Sequence, residues 1–167
     1  MRILFSIHLY PPKHLCGAEF YAHNIAKELV KRGHQVRVYL HQWYGASTDG
    51  RYSLDGVDVC PPTCSNQAKE ELFQWADIVL THLDFTKWTL WKCRQLGKPC
   101  VFITHNTSNF YDQMVKDASR LGIIYNAQHA KDFLNYDKPS IVLPPHMDLE
   151  RVKCDRVGDY ITLINLS

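Results

Sequence analysis

Short apolar runs alternate along this chain with longer stretches whose apolar positions recur every three or four residues. RILFSIH, residues 2–8, has the pattern of a buried strand. Residues 17–32 predict a helix. Its apolar stripe is Ala18, Ala22, Ile25, Ala26 and Leu29, while His23, Asn24, Lys27, Glu28 and Lys31 face away. Gly33 is placed as the C-terminal cap of that helix, and QVRVYL (35–40) is a second strand. Residues 41–56 carry Gly45, Asp49-Gly50 and Asp55-Gly56, and RYSLDGVDV predicts a small hairpin turning at Asp55-Gly56, closed by Pro61-Pro62. The alternation then continues: a helix over 66–75, a strand over 77–81, a helix over 85–96 ended by Gly97, and a strand over 99–104. A short helix around 110–118, a strand over 121–125, a helix over 127–135 and a strand over 140–143 complete it. Strand–helix units with short connections predict an α/β fold: an open parallel sheet with helices on both faces.

The final stretch breaks the pattern. ERVKCDRVGD (150–159) is charged and linker-like, and YITLINLS then begins another apolar strand. The expected organisation is one domain over residues 1–157, with 158–167 as the end of a linker and the first strand of a second, truncated domain. The alternative is a last edge strand of the same sheet.

Composition narrows the class without choosing a function. At 46% hydrophobic and 22% charged, the 167-residue chain is ordinary for a soluble globular protein long enough to bury a sizeable core. A net charge of +2 is well short of a nucleic-acid-binding footprint. ILFSIHLY contains His8 and runs into Pro11-Pro12 without a small-x-small cleavage pattern, so it reads as a strand and not a signal peptide. No apolar stretch approaches the ~20 residues that span a bilayer. Cys16, Cys60, Cys64, Cys93, Cys100 and Cys154 then read as free cytosolic thiols.

Candidate chemistry gathers at the strand ends. In an open parallel sheet, ligands sit at the carboxyl ends of the strands. The predicted strands here run out at His8, His41, His82, His105, Asn126 and, after Pro144-Pro145, His146. Under the usual strand order His8, His82 and His105 crowd one edge, where imidazoles can bond hydroxyls or phosphates and carry protons. The plainer reading is that strand ends meet water and favour polar residues. Gly17 lies where the loop after the first strand enters the first helix, a place where unpaired N–H groups and a partial positive charge suit an anion. The plainer reading there is that Gly17 and Ala18 let the helix pack closely on the sheet. Neither G-x-G-x-x-G nor G-x-x-x-x-G-K-[ST] occurs, which argues against a dinucleotide enzyme and a P-loop.

MRILF-SIHLYPP, four residues, GAE, five residues, then IAKELVKRGHQVRVY resembles the opening of retaining glycosyltransferases of GT-B architecture, the family 4 group. ADIVLTH (76–82), VFITHN (101–106), IIYNAQHAKDFL (123–134) and IVLPPHMD (141–148) follow in the order of that family. The resemblance covers essentially the whole chain. It implies the N-terminal, acceptor-side half of a pair of Rossmann-like domains. The partners it implies are a nucleotide-diphosphate sugar donor, a hydroxyl acceptor and a C-terminal donor-binding domain, with no cofactor and no metal. By motif position it implies that Gly17, with Cys16 in place of a first Gly, meets the donor diphosphate. It places His105 beside the transferred sugar as the catalytic residue. Glu19 would orient the loop or the acceptor, together with His8, His82 and Asn126. Asn126 stands where Ser is common, and His146-Met147 replaces the usual Gly-Val before Asp148. On this reading the half alone is inactive and cytoplasmic.

Two other function classes remain open: a non-catalytic α/β module gripping a sugar or phosphate, and a different nucleotide enzyme. Three local features weigh less. Cys60-Pro-Pro-Thr-Cys64 is at most half a zinc site and favours a loop. FTKWTLWKCRQLGK (85–98) mixes Trp88 and Trp91 with Lys87, Lys92, Arg94 and Lys98; it reads as a core helix with a solvated basic face, peripheral membrane contact at the inner face being the alternative. NTSNF holds an Asn-x-Ser that needs a secretory route to be glycosylated.

Overall fold

The computed structural model describes residues 1–41 and 50–146. The expected boundary at 157, the strand from 160, Asp148 and Cys154 lie outside the described residues. Among the described residues, eight strands form one sheet. In chain order they are β1 (Arg2–Ile7), β2 (Gln35–Leu40), β3 (Tyr52–Leu54), β4 (Val57–Cys60), β5 (Ile78–His82), β6 (Cys100–Thr104), β7 (Leu121–Tyr125) and β8 (Ser140–Val142). The spatial order is β3-β4-β2-β1-β5-β6-β7-β8, and every pairing is parallel except β3 with β4. The chain winds outward from β1 to β2 and β4, then returns to β1's other side and winds the opposite way. That reversal leaves a crevice at the carboxyl ends of β1 and β5, because the connections there diverge.

Five α-helices of the described residues cover the sheet: α1 (Gly17–Lys31), α2 (Asn66–Trp75), α3 (Thr86–Gln95), α4 (Asp112–Asp117) and α5 (Gln128–Leu134). Alternation along the strands assigns the faces. Ile3, Phe5 and Ile7 pack with Ala22 and Ala26 of α1, whereas Leu4 and Val79 pack in the core that holds Leu72, Leu90, Val115 and Ala130 of the other four helices. Helices thus lie on both faces, but α1 is alone on its side among the described residues. Ser65 caps α2, its Oγ accepting from the Ala68 N–H at 3.1 Å.

One expectation along α1 shifts. The buried positions are Glu19, Tyr21, Ala22, His23 and Ala26, so His23 does not face away. Its Nδ1 meets the Tyr10 hydroxyl at 2.9 Å and its Nε2 meets Asp55 Oδ2 at 3.0 Å. The cause is tertiary: the hairpin turn brings Asp55 over that side of the helix. The hairpin itself turns at Asp55-Gly56, with φ of 51° and 79° respectively, the mirror-image turn that suits twisted strands.

The turn also packs tightly against α1, since a Cβ on Gly56 would stand 2.9 Å from Val30 Cγ1. Gly97 has φ of 63° but open space around it. Gly56→Ala therefore carries both backbone strain and a clash, and Gly97→Ala carries strain alone. Urea unfolding is expected to show Gly97→Ala destabilised by about 1 kcal/mol and Gly56→Ala by clearly more. Equal losses would mean that the contact with Val30 yields freely.

Candidate active site at the β1–β5 crevice

The register sets the positions. Ile7 of β1, His82 at the end of β5 and Ile103 of β6 share the face covered by α1. Two residues beyond Ile103, His105 returns to the same face. His82 Nδ1 lies 2.9 Å from His105 Nε2, so one ring donates to the other. The His8 ring, just past β1, stands 5.7 Å from that of His82. The three strand-end histidines are together.

α1 closes the group from above. Its third residue, Glu19, is only 2% exposed, and Glu19 Oε1 stands 3.7 Å from His8 Nε2. Two residues on, the ring of Tyr21 meets that of His105 edge-on at 5.5 Å. Its hydroxyl donates to the carbonyl of Leu143, tying α1 to the exit of β8. Burial raises the Tyr21 hydroxyl to about 12, so it stays a donor. Just after His82, Leu83 holds φ at 52°, a left-handed conformation costing ~1–2 kcal/mol for a side-chain-bearing residue. Such strain is retained where the surrounding structure fixes it, and clusters at functional sites.

Burial holds the imidazoles neutral. His105 is lowered to about 4 by burial first and the neighbouring His8 second. His82, wholly buried, is lowered well below the usual range by burial, then by His105 and His8. His8 is lowered by burial, which outweighs the pull of Glu19. His105 itself is half-buried, at the rim of the crevice rather than sealed in the core.

The mouth of α1 is open. Cys16 is the residue before the helix, in an extended conformation with φ −86°, and its side chain caps nothing. Phe20 N–H reaches the Cys16 carbonyl at 3.0 Å, which leaves the N–H groups of Gly17, Ala18 and Glu19 without intrahelical acceptors. Gly17 is exposed, and a Cβ there would meet nothing within 4 Å. Close packing on the sheet therefore does not explain glycine at this position. Nor does Cys16 hinder the loop, because no positive φ is needed there.

The remaining candidates divide: Asn126 adjoins His105, and His41 and His146 lie elsewhere. His41 faces the opposite side of the sheet: it is stacked on Phe85 at 4.1 Å, and its Nε2 lies 2.8 Å from Ser6 Oγ, which also meets Thr89 Oγ1. Asn126 is half-buried, its Nδ2 donating to the His105 carbonyl at 3.4 Å. His146 is exposed, and Asn24 Nδ2 donates to its carbonyl. A hollow of about 320 Å³ lies beside His8, walled by Tyr10, Lys13, His14, Arg51 and Tyr52. A groove of about 250 Å³, with Lys87, Trp91, Arg94 and Arg120 on its walls, opens at the other end of the sheet, by the starts of β6 and β7. Among the described residues the thiols Cys16, Cys60, Cys64, Cys93 and Cys100 are free, and no further ligand joins Cys60 and Cys64. No helix among them is long and apolar enough to cross a membrane. Sequence reasoning missed Tyr21, and the approach of Glu19 to both His8 and His82. The spacing of Glu19 from Gly17 placed it on the first turn but not on the inward face.

Residues 16–151 match the family model described as Glycosyltransferase Family 4. No curated protein matches the sequence. The fold is similar to that of sucrose-phosphate synthase from Thermosynechococcus elongatus, with a TM-score of 0.62 at 10% identity. The match covers 90% of this chain and 49% of the synthase, so this chain spans about half the length of that protein.

The neutral histidines make stability depend on pH. An unfolded histidine takes up a proton near pH 6.5, whereas His105 in the fold does so only near 4. Between those values the unfolded chain binds more protons, so stability is complete above about pH 6.5 and is lost as pH falls towards 4. Urea titrations are expected to give falling stability from pH 7 to pH 5, with a slope of at most about 1.4 kcal/mol per pH unit for each histidine. His105→Asn should flatten that slope. A wild-type profile flat over this interval would contradict the buried, uncharged cluster.

Proposed function

The chain belongs to glycosyltransferase family 4, and on that premise we propose that it is the acceptor-side half of a retaining transferase. The reaction moves a sugar from a nucleotide-diphosphate sugar to an acceptor hydroxyl. The observation carrying this reading is the corner shared by the uncapped mouth of α1 and the half-buried His105, joined through the contact of Tyr21 with His105.

In this mechanism the leaving diphosphate rests against the N–H groups of Gly17, Ala18 and Glu19, whose dipoles meet the developing negative charge. Gly17 leaves room for a phosphate oxygen to approach the backbone. His82 donates from Nδ1 to His105 Nε2, which fixes the other nitrogen of His105 as an N–H that holds the donor sugar. Glu19 is too deeply buried to serve as a nucleophile; it steadies the loop through His8. The acceptor enters by the hollow beside His8.

One helix mouth contributes roughly 0.3–2 kcal/mol. Catalysis of such transfers requires about 8 kcal/mol or more. The remainder comes from a second domain facing this one, and the chain spans half of the structure it matches. The 167-residue chain alone therefore has no transferase turnover. Activity of the purified chain with a nucleotide sugar would overturn the half-site reading.

Binding is the more direct test. UDP-glucose, GDP-mannose and ADP-glucose, added in turn to labelled protein, are expected to shift the amide signals of Gly17–Glu19 and the ring of His105 for at least one donor. Gly17→Ala should weaken that binding about tenfold or more while leaving stability unchanged or raised by up to about 1 kcal/mol. Shifts that avoid both Gly17 and His105 for every donor would sink the assignment.

A further inference from the structure

We propose that His8, Glu19 and His82 form a site for one divalent transition-metal ion of zinc's class, a site the transfer reaction does not require. One ligand atom from each residue lies within 4.8 Å of those from the other two, and all three residues are buried. They come from three elements: the end of β1, the first turn of α1 and the end of β5. Two imidazoles and a carboxylate are a known zinc donor set, and nitrogen donors disfavour magnesium and calcium. Bonds of 2.0–2.2 Å in a tetrahedral array put ligand atoms roughly 3.4 Å apart, so the three groups close on the ion by about 1 Å.

A simple ion pair does not account for the cluster. The approach of His8 Nε2 to Glu19 Oε1, at 3.7 Å, exceeds hydrogen-bond length. Glu19 Oε2 and His82 Nε2 are buried with no hydrogen-bond partner at all. Leaving buried acceptors unmet is costly, and a cation shared by a carboxylate and two neutral rings meets them at once. The other nitrogen of His82 is already engaged with His105 Nε2, the outer bond that fixes the ring of a metal ligand. The ion would tie the mouth of α1 to the ends of β1 and β5.

The test uses the whole chain, freed of tags and stripped of metal by a chelator. Cobalt(II) is expected to bind at one ion per chain with visible bands of low-coordinate geometry, to be displaced by zinc, and to raise the unfolding temperature. Glu19→Gln should weaken binding tenfold or more, and His129→Asn, on the exposed face of α5, should leave it unchanged. No stoichiometric uptake, or equal uptake by Glu19→Gln, would overturn the site. Should Glu19→Gln fail to fold, the ring nitrogen signals of the wild-type histidines decide. Zinc-induced shifts at His8 and His82 support the site, and shifts confined to exposed histidines such as His129 and His146 refute it. Because these readouts involve no nucleotide sugar, they succeed or fail separately from the transferase reading.

Discussion

The position of β1 between β2 and β5 governs the rest of the structure. The chain leaves β1 in one direction and returns to build the sheet in the other, so the connections at the carboxyl ends of β1 and β5 run apart. Backbone and side chains there can face a ligand. His8 and His82 occupy those two ends, and α1 leaves from the first of them, so its free N–H groups are delivered to the same corner. A sheet winding in one direction only would have covered that corner with a loop.

The corner is polar yet mostly buried, and pairing offsets part of that cost. His82 Nδ1 and His105 Nε2 pair on the α1 face, as Ser6, His41 and Thr89 pair on the opposite face. Burial keeps these rings neutral, with His41 lowered to about 3, so each can serve as donor on one nitrogen and acceptor on the other. His82 cannot leave the interior without breaking its bond to His105, which links the ring at the rim to the packed strand end. The strained Leu83 sits at the same point, where the chain leaves β5.

The two corner features differ in what they ask of the backbone. Gly17 is in open space with no demand from packing. Gly56 is the reverse, held against Val30 in a left-handed turn that serves the fold alone. One opens α1 and the other packs against it, and only Gly56 is held by its surroundings.

Much of the fold was legible because local pattern and tertiary demand agree. The apolar runs became parallel strands, the Asp55-Gly56 turn made its hairpin, and the helix over 66–75 took its expected bounds, since alternation, left-handed glycines and capping act over a few residues. The strand-end rule likewise placed His8, His82 and His105 near one another from spacing alone, and the family resemblance held across residues 16–151. Tertiary structure decided what depends on contacts distant in the chain. It turned His23 inward by bringing Asp55 over α1, sent His41 to the opposite face, and set Tyr21 against His105. It also gathered a carboxylate and two imidazoles around one point, because Glu19 and His82 stand far apart in sequence and meet only when α1 packs across the ends of β1 and β5.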